Sequence, residues 1–256
     1  MIIKFLGTCN AESNNTRLVS LLIDNILAID AGSLTSKLSF AEQKKIKVIL
    51  LSHGHYDHIR DVPAFAFNNS SRTTKVLATQ ETLGILSSHL IDGIIYPQFA
   101  GKTSFLEKPA LELLPLEPFK PKKVGGYQIM AVPVNHSNHG VGFEVISKDG
   151  RRIFYTGDTG PGLSDLWQYV SPELLIVDMT FPDRLEKTAL DAGHLCPELL
   201  RKELREFRRI KGYLPRVVTS HLTPWLKEEI EKEVEKVAKE MELPIIIAAE
   251  DVELTI

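Results

Sequence analysis

Ser52-His53-Gly54-His55-Tyr56-Asp57-His58 follows directly on the run Ile46-Lys47-Val48-Ile49-Leu50-Leu51. That run is short, almost wholly apolar and aliphatic, the pattern of a strand buried on both faces. Four ligand-type side chains then fall within six positions at its carboxyl end. In an extended segment alternate side chains share a side, so His53 and His55 point the same way and can share one metal ion. Asp57 and His58, after a change of chain direction, can reach a second ion. Imidazole nitrogen with carboxylate oxygen suits zinc, and also iron or manganese. A surface loop that happened to hold three histidines would not need this spacing, and H-x-H-x-D-H is far more specific than a lone H-x-H.

The rest of the chain frames this segment with ordinary globular material. In 256 residues, 43% are hydrophobic and 25% charged, with a net charge of −3, which excludes a disordered tail, a collagen-like chain and a strongly basic nucleic-acid binder. Cys9 and Cys196 cannot build a disulfide framework. The opening Met-Ile-Ile-Lys-Phe has no basic start or long apolar stretch, and no uncharged run suits a membrane span, so a soluble cytoplasmic protein is expected. Strands are predicted at Ile2–Leu6, at Leu18–Ile23 and Asn25–Ile29 around an Asp24-Asn25 turn, and at Lys75–Ala78. Others are predicted at Gln128–Val134, at Val141–Ser147 and Arg152–Tyr155 as a hairpin, and at Leu174–Val177, Val217–Ser220 and Ile245–Ala248. Pro197–Lys211 and Pro224–Met241 read as amphipathic helices, the first stopped by Gly212 and the second capped by Thr223. Paired strands followed by strands alternating with helices suggest two sheets with helices outside, in one domain over residues 1–256. The proline-rich stretch Asp92–Lys123 reads as an irregular excursion, and apolar residues around Leu86–Phe99 as a homodimer contact.

Taken in order, Gly7-Thr8, Ile29-Asp30-Ala31-Gly32, the His53–His58 segment, Val134-Asn135-His136-Ser137, Thr156-Gly157-Asp158-Thr159-Gly160 and Ser220-His221-Leu222-Thr223 resemble the metallo-β-lactamase-fold hydrolases. The resemblance spans nearly the whole chain and implies an α+β, four-layer αββα sandwich with metals in a groove at one edge. Carried over position by position, it makes His53, His55 and His136 ligands of one metal ion, Asp57, His58 and His221 ligands of a second, and Asp158 the bridge. Alone, His136 reads equally as a structural histidine after a strand, and Asp158 as a turn residue. Asp30 would sit beneath the ligands and accept a histidine N–H, fixing its tautomer.

His55 stands where the flavo-di-iron branch of the fold usually has Glu, which disfavours that branch. Leu175-Ile176-Val177-Asp178-Met179-Thr180-Phe181, followed by Gly193-His194-Leu195, looks like the phosphodiesterase branch, shared by class II cyclic-nucleotide phosphodiesterases and tRNA 3′-processing ribonucleases. There Asp178 would orient His194, and an imidazolium can protonate a leaving alkoxide. Bland readings are a helix-start histidine beside Pro197 and a strand-end acid. The tRNA-processing enzymes carry a long arm between the residues matching His136 and Asp158. Here 22 positions separate the two, and they already hold a hairpin. His194 is also followed by Leu195-Cys196 rather than Ser-Thr. A small phosphodiester is therefore the first substrate expectation, with RNA second, and Asp57, Asp178 and His194 are the catalytic candidates. Arg17 and His139 are weaker candidates for substrate contact. Pro197–Arg216 holds seven basic against three acidic residues, which could attract RNA or simply face solvent. A non-hydrolytic di-iron oxygen-binding protein and a metal-stabilised interaction subunit are the readings from other classes.

Overall fold

A computed structural model describes residues 1–101, 107–136 and 139–256. Their strands form two seven-stranded sheets of matching design. The first contains β1 (Ile2–Gly7), β2 (Ser20–Ile23), β3 (Leu27–Ile29), β4 (Val48–Leu50), β5 (Thr74–Ala78) and β6 (Leu111–Pro115). The second runs through β7 (Lys122–Val124), β8 (Tyr127–Pro133), β9 (Val141–Ile146), β10 (Arg152–Tyr155), β11 (Leu174–Asp178), β12 (Arg216–Ser220) and β13 (Ile245–Ile247). The last strand, β14 (Glu253–Thr255), returns to the outer edge of β1. Within each sheet antiparallel pairs give way to parallel ones: β3 to β6 in the first, β10 to β13 in the second. Parallel strands gather their carboxyl ends at one edge, where open sheets of this kind bind ligands. Asp30 follows β3, the His53–His58 segment follows β4, Asp158 follows β10, Asp178 ends β11 and His221 follows β12.

The two-sided burial read from the sequence is literal. Val48 and Leu50 of β4 enter the core between the sheets, while Ile49 and Leu51 enter the outer layer. On β11, Leu174 and Ile176 face the other sheet, and Leu175 and Val177 face helices. The outer layer of the first sheet includes α1 (Leu34–Lys37), α2 (Phe40–Gln43), α3 (Tyr56–Ile59), α4 (Val62–Asn68) and α5 (Gln80–His89). That of the second includes α6 (Glu186–Ala192), α7 (Pro197–Lys211) and α8 (Lys227–Met241). Leu200, Leu204 and Phe207 of α7 pack with Ile230, Val234 and Val237 of α8 in one buried cluster. The αββα sandwich is thus the observed architecture.

Two sequence expectations are corrected. Asp92–Lys123 is not irregular throughout: it supplies β6 and the start of β7, each at the edge of its sheet. The prolines and Lys122-Lys123 hide that pattern, because an edge strand needs neither alternation nor a full set of N–H donors; residues 102–106 of the stretch lie outside the described residues. Thr223 stands at the start of the helical segment but makes no side-chain capping bond. Its hydroxyl accepts from Asn10 Nδ2 at 3.0 Å, and a 3₁₀ turn over Pro224–Leu226 precedes α8. Of the apolar residues around Leu86–Phe99, Leu86 and Phe99 are fully buried, whereas Ile94 and Ile95 are strongly exposed.

Candidate metal centre

Two clusters of ligand-type atoms meet at the edge where the strands end. In the first, His53, His55, His136 and Asp158 each offer one atom, all within 4.8 Å of one another. His55 Nδ1 lies 2.9 Å from His53 Nε2 and 3.3 Å from His136 Nε2, and Asp158 Oδ2 lies 3.7 and 3.9 Å from those two Nε2 atoms. Asp57, His58, Asp158 and His221 form the second. His221 Nε2 is 3.2 Å from both Asp57 Oδ2 and Asp158 Oδ2, and His58 Nε2 is 3.3 Å from Asp158 Oδ1. Asp158 belongs to both clusters. The fit to cations is testable in the protein itself: His58 Nε2 and Asp158 Oδ1 are buried with no hydrogen-bond partner. Buried polar atoms are rarely left so, and nitrogen and oxygen donors converging in this way suit divalent first-row metals.

Neighbours outside the clusters aim the rings inward. Asp30, fully buried, accepts from Ser52 N at 2.8 Å, Ser52 Oγ at 2.9 Å, His58 Nδ1 at 2.8 Å and Tyr155 Oη at 2.7 Å. A carboxylate only accepts, so His58 carries its proton on Nδ1 and presents Nε2 to the cluster. His136 Nδ1 donates to the Gly193 carbonyl at 2.9 Å, and His221 Nδ1 donates to Thr180 Oγ1 at 2.8 Å. Asp30, His139 and His221 all have positive φ, at 57°, 54° and 66°. Such conformations are uncommon outside glycine and persist where surrounding contacts enforce them.

The electrostatics of the two clusters differ. Burial, reinforced by neighbouring imidazoles, pushes His53, His55 and His136 below the ordinary histidine range, so they present lone pairs at neutral pH. Burial acts the same way on His58 and His221 but is outweighed by carboxylates. Asp158, Asp30 and Asp57 lift His58 well above its usual value, and Asp158, Asp178 and Asp57 lift His221 to about 10. Conversely, burial would raise Asp57 and Asp158, yet the adjacent His58 and His221 hold both well below the usual carboxylate range.

Asp178 and His194 meet as the sequence suggests, Nδ1 to Oδ2 at 2.7 Å. The His194 ring stacks on His221 at 5.2 Å and lies 5.0 Å from His136, so it stands at the seam of the two clusters. Thr180, to which sequence reasoning gave no role, donates to Asp178 Oδ1 at 2.5 Å while accepting from His221. Ser52 and Tyr155 were missed in the same way. Arg17 pairs its guanidinium with Glu250 at 3.4 Å, which leaves its expected phosphate contact without support. His139 borders a cavity of about 670 Å³ that opens beside His136. Ser137 of the fourth motif lies outside the described residues.

Gly32 lets these loops close on one another. A Cβ there would lie 2.1 Å from the Asp57 carbonyl oxygen and 2.8 Å from that of Val19. Both obstacles are backbone, so Gly32→Ala is expected to displace the Asp57 loop and lower the unfolding free energy by about 1–3 kcal/mol. Urea denaturation measures this; wild-type stability would mean that the loop has room to yield.

The comparisons agree with this fold. Residues 21–222 match the family described as the Beta-lactamase superfamily domain, and the chain belongs to that superfamily. A 3′,5′-cyclic-nucleotide phosphodiesterase from Aliivibrio fischeri is 24% identical over 228 residues, covering 73% of this chain and 68% of that protein. Unliganded yeast PDE1 shares the fold with a TM-score of 0.82 at 16% identity, covering 100% of this chain and 99% of its own. The short form of human tRNase Z does so with a TM-score of 0.72 at 16% identity, over 100% and 99%.

Proposed function

We propose that the chain is a two-metal hydrolase of small phosphodiesters, with 3′,5′-cyclic nucleotides as the first substrate class. The observation that carries this reading is the pair of clusters sharing Asp158, with His194 at their seam and tied to Asp178. His53, His55, His136 and Asp158 would hold one cation, and Asp57, His58, His221 and Asp158 the other, with zinc the first choice and manganese or iron alternatives. Bound there, two cations would neutralise phosphoryl charge and supply a water of lowered pKa. The chain's own groups do the rest. Asp158 spaces the two clusters and, with Asp57, sets their negative charge. Asp178 takes the Nδ1 proton of His194 in a hydrogen bond, which leaves Nε2 to deliver a proton to the departing alkoxide oxygen.

Substrate size is argued from two further observations. The cavity beside His136, lined by Leu116, Pro118, Val134 and His139 with Glu81 and Glu117, is of a size that suits a small organic group, and no lysine or arginine lines it among the described residues. A nucleoside moiety suits such a surface better than a polyanionic chain does. Half of the basic residues on α7 are also held in ion pairs: Arg201 with Glu198, Lys202 with Glu186, and Arg209 with Glu206. Both points favour a small diester over the tRNA-processing reading. Metal-loaded protein is expected to hydrolyse a 3′,5′-cyclic nucleotide and bis(4-nitrophenyl) phosphate and to leave precursor tRNA intact. Cleavage of precursor tRNA at its 3′ end, with neither small diester turned over, would reverse the choice.

A further inference from the structure

The two clusters are not supported alike from below, and the difference runs through residues that touch no substrate. Asp30 Oδ2 collects three donors: Ser52 Oγ, His58 Nδ1 and Tyr155 Oη. Tyr155 reaches it from β10 in the second sheet, whereas Asp30 directly follows β3 of the first and His58 lies on α3, which follows β4 of the first. This contact therefore joins the two sheets directly beneath the second cluster. Tyr155 is 3% exposed, and Asp30 and His58 are fully buried, so no water can stand in for the phenol without repacking. Ser52 is placed differently. Its Oγ lies 3.0 Å from His53 Nδ1 as well as 2.9 Å from Asp30 Oδ2, so it accepts from a ligand candidate of the first cluster while donating to the carboxylate that holds the second.

We infer that Tyr155 positions chiefly the second metal site, whose His58 it reaches through Asp30, whereas it reaches His53 only through Asp30 and Ser52 in turn; Ser52 itself positions ligands of both sites. The inference rests on reading the clusters as metal sites. Tyr155 fixes the orientation of the Asp30 carboxylate, Asp30 fixes the His58 ring, and His58 serves only the second cluster. Ser52 fixes His53 through a direct hydrogen bond and His58 through the Asp30 carboxylate, to which it donates from both N and Oγ. Partners behind a ligating histidine commonly change metal affinity by about 10–100-fold when removed. Tyr155 acts one bond further back, so the lower end of that range applies.

The test is equilibrium zinc loading of metal-free protein against a competing chelator, for wild type, Tyr155→Phe and Ser52→Ala. Imidazole ¹⁵N resonances of His53 and His58 report which cluster fills, so no turnover is needed. Wild type is expected to take two equivalents. Tyr155→Phe, which keeps the ring in the core, should lose about tenfold in affinity at the cluster reported by His58 and change less than about twofold at that reported by His53. Ser52→Ala should weaken both. Equal weakening of both clusters by Tyr155→Phe, no weakening of either, or an effect of Ser52→Ala confined to one cluster would overturn the assignment. A Tyr155→Phe protein that is unfolded by circular dichroism would overturn it too, since the phenol would then be holding the fold rather than one site. Wild type taking fewer than two equivalents would instead remove the two-metal reading itself, and the proposal with it.

Discussion

Asp158→Ala is expected to abolish turnover and to cost the protein at least one of its two cations. No other side chain among the described residues belongs to both metal clusters. Its Oδ1 faces His58 Nε2 at 3.3 Å and its Oδ2 faces His221 Nε2 at 3.2 Å and His53 Nε2 at 3.7 Å. Removing the carboxylate takes an oxygen from each cluster and leaves His58 and His221 without their strongest counter-charge. Loss of one preorganised electrostatic contact in an active site commonly costs about 10²–10³ in rate, and here two sites lose one together, so a fall beyond about 10³-fold is expected. Elemental analysis and turnover of bis(4-nitrophenyl) phosphate on the same preparation measure both effects. Full double occupancy with wild-type turnover would remove Asp158 from the bridging role.

His194→Ala should do something different in kind. His194 Nδ1 is committed to Asp178 at 2.7 Å, and the ring sits beside the two clusters described above without belonging to either, although with Asp178 and His221 it forms a third group of ligand-type atoms. The variant should keep both cations and lose about 10²–10⁴-fold in rate on an alkyl phosphodiester, the usual worth of general-acid assistance. A nitrophenolate leaves without needing a proton, so the loss should shrink for an aryl diester. Asp178→Asn should lose less, in the same direction, because it weakens the orientation of His194 without removing the ring. Turnover of one alkyl and one aryl diester at matched metal content decides the matter. Equal slowing of both substrates, or shed metal, would make His194 a phosphate-positioning residue or a ligand.

How much of this was legible in the sequence depended on the distance over which each residue acts. The His53–His58 segment could be read because its ligands are neighbours in the chain and β4 before it is buried on both faces. Asp178 and His194 could be read only with a family pattern in hand, since they are 16 positions apart. Tyr155 was invisible as anything but a strand residue. Its partner Asp30 lies 125 positions away in the other sheet, and nothing local in Arg152–Tyr155 signals a buried phenol donating to a carboxylate. Ser52 sat inside the quoted segment, yet its role needed the position of Asp30 in space. In the fold, β4 and β11 were plain because both faces are apolar, whereas β6 and β7 were lost among prolines and lysines at the sheet edges. Arg17 shows the same long reach: a loop arginine read toward phosphate pairs with Glu250, 233 residues further on, which the sequence could not show.

The most direct test follows hydrolysis of a 3′,5′-cyclic nucleotide while metal-free protein is titrated with zinc or manganese, with bound metal and product measured in each sample. Two clusters joined through Asp158 predict that turnover rises steeply only as the second equivalent binds, and that it reaches its plateau at two ions per chain. Two equivalents tightly bound with no hydrolysis of the cyclic nucleotide or of an aryl diester would contradict the account.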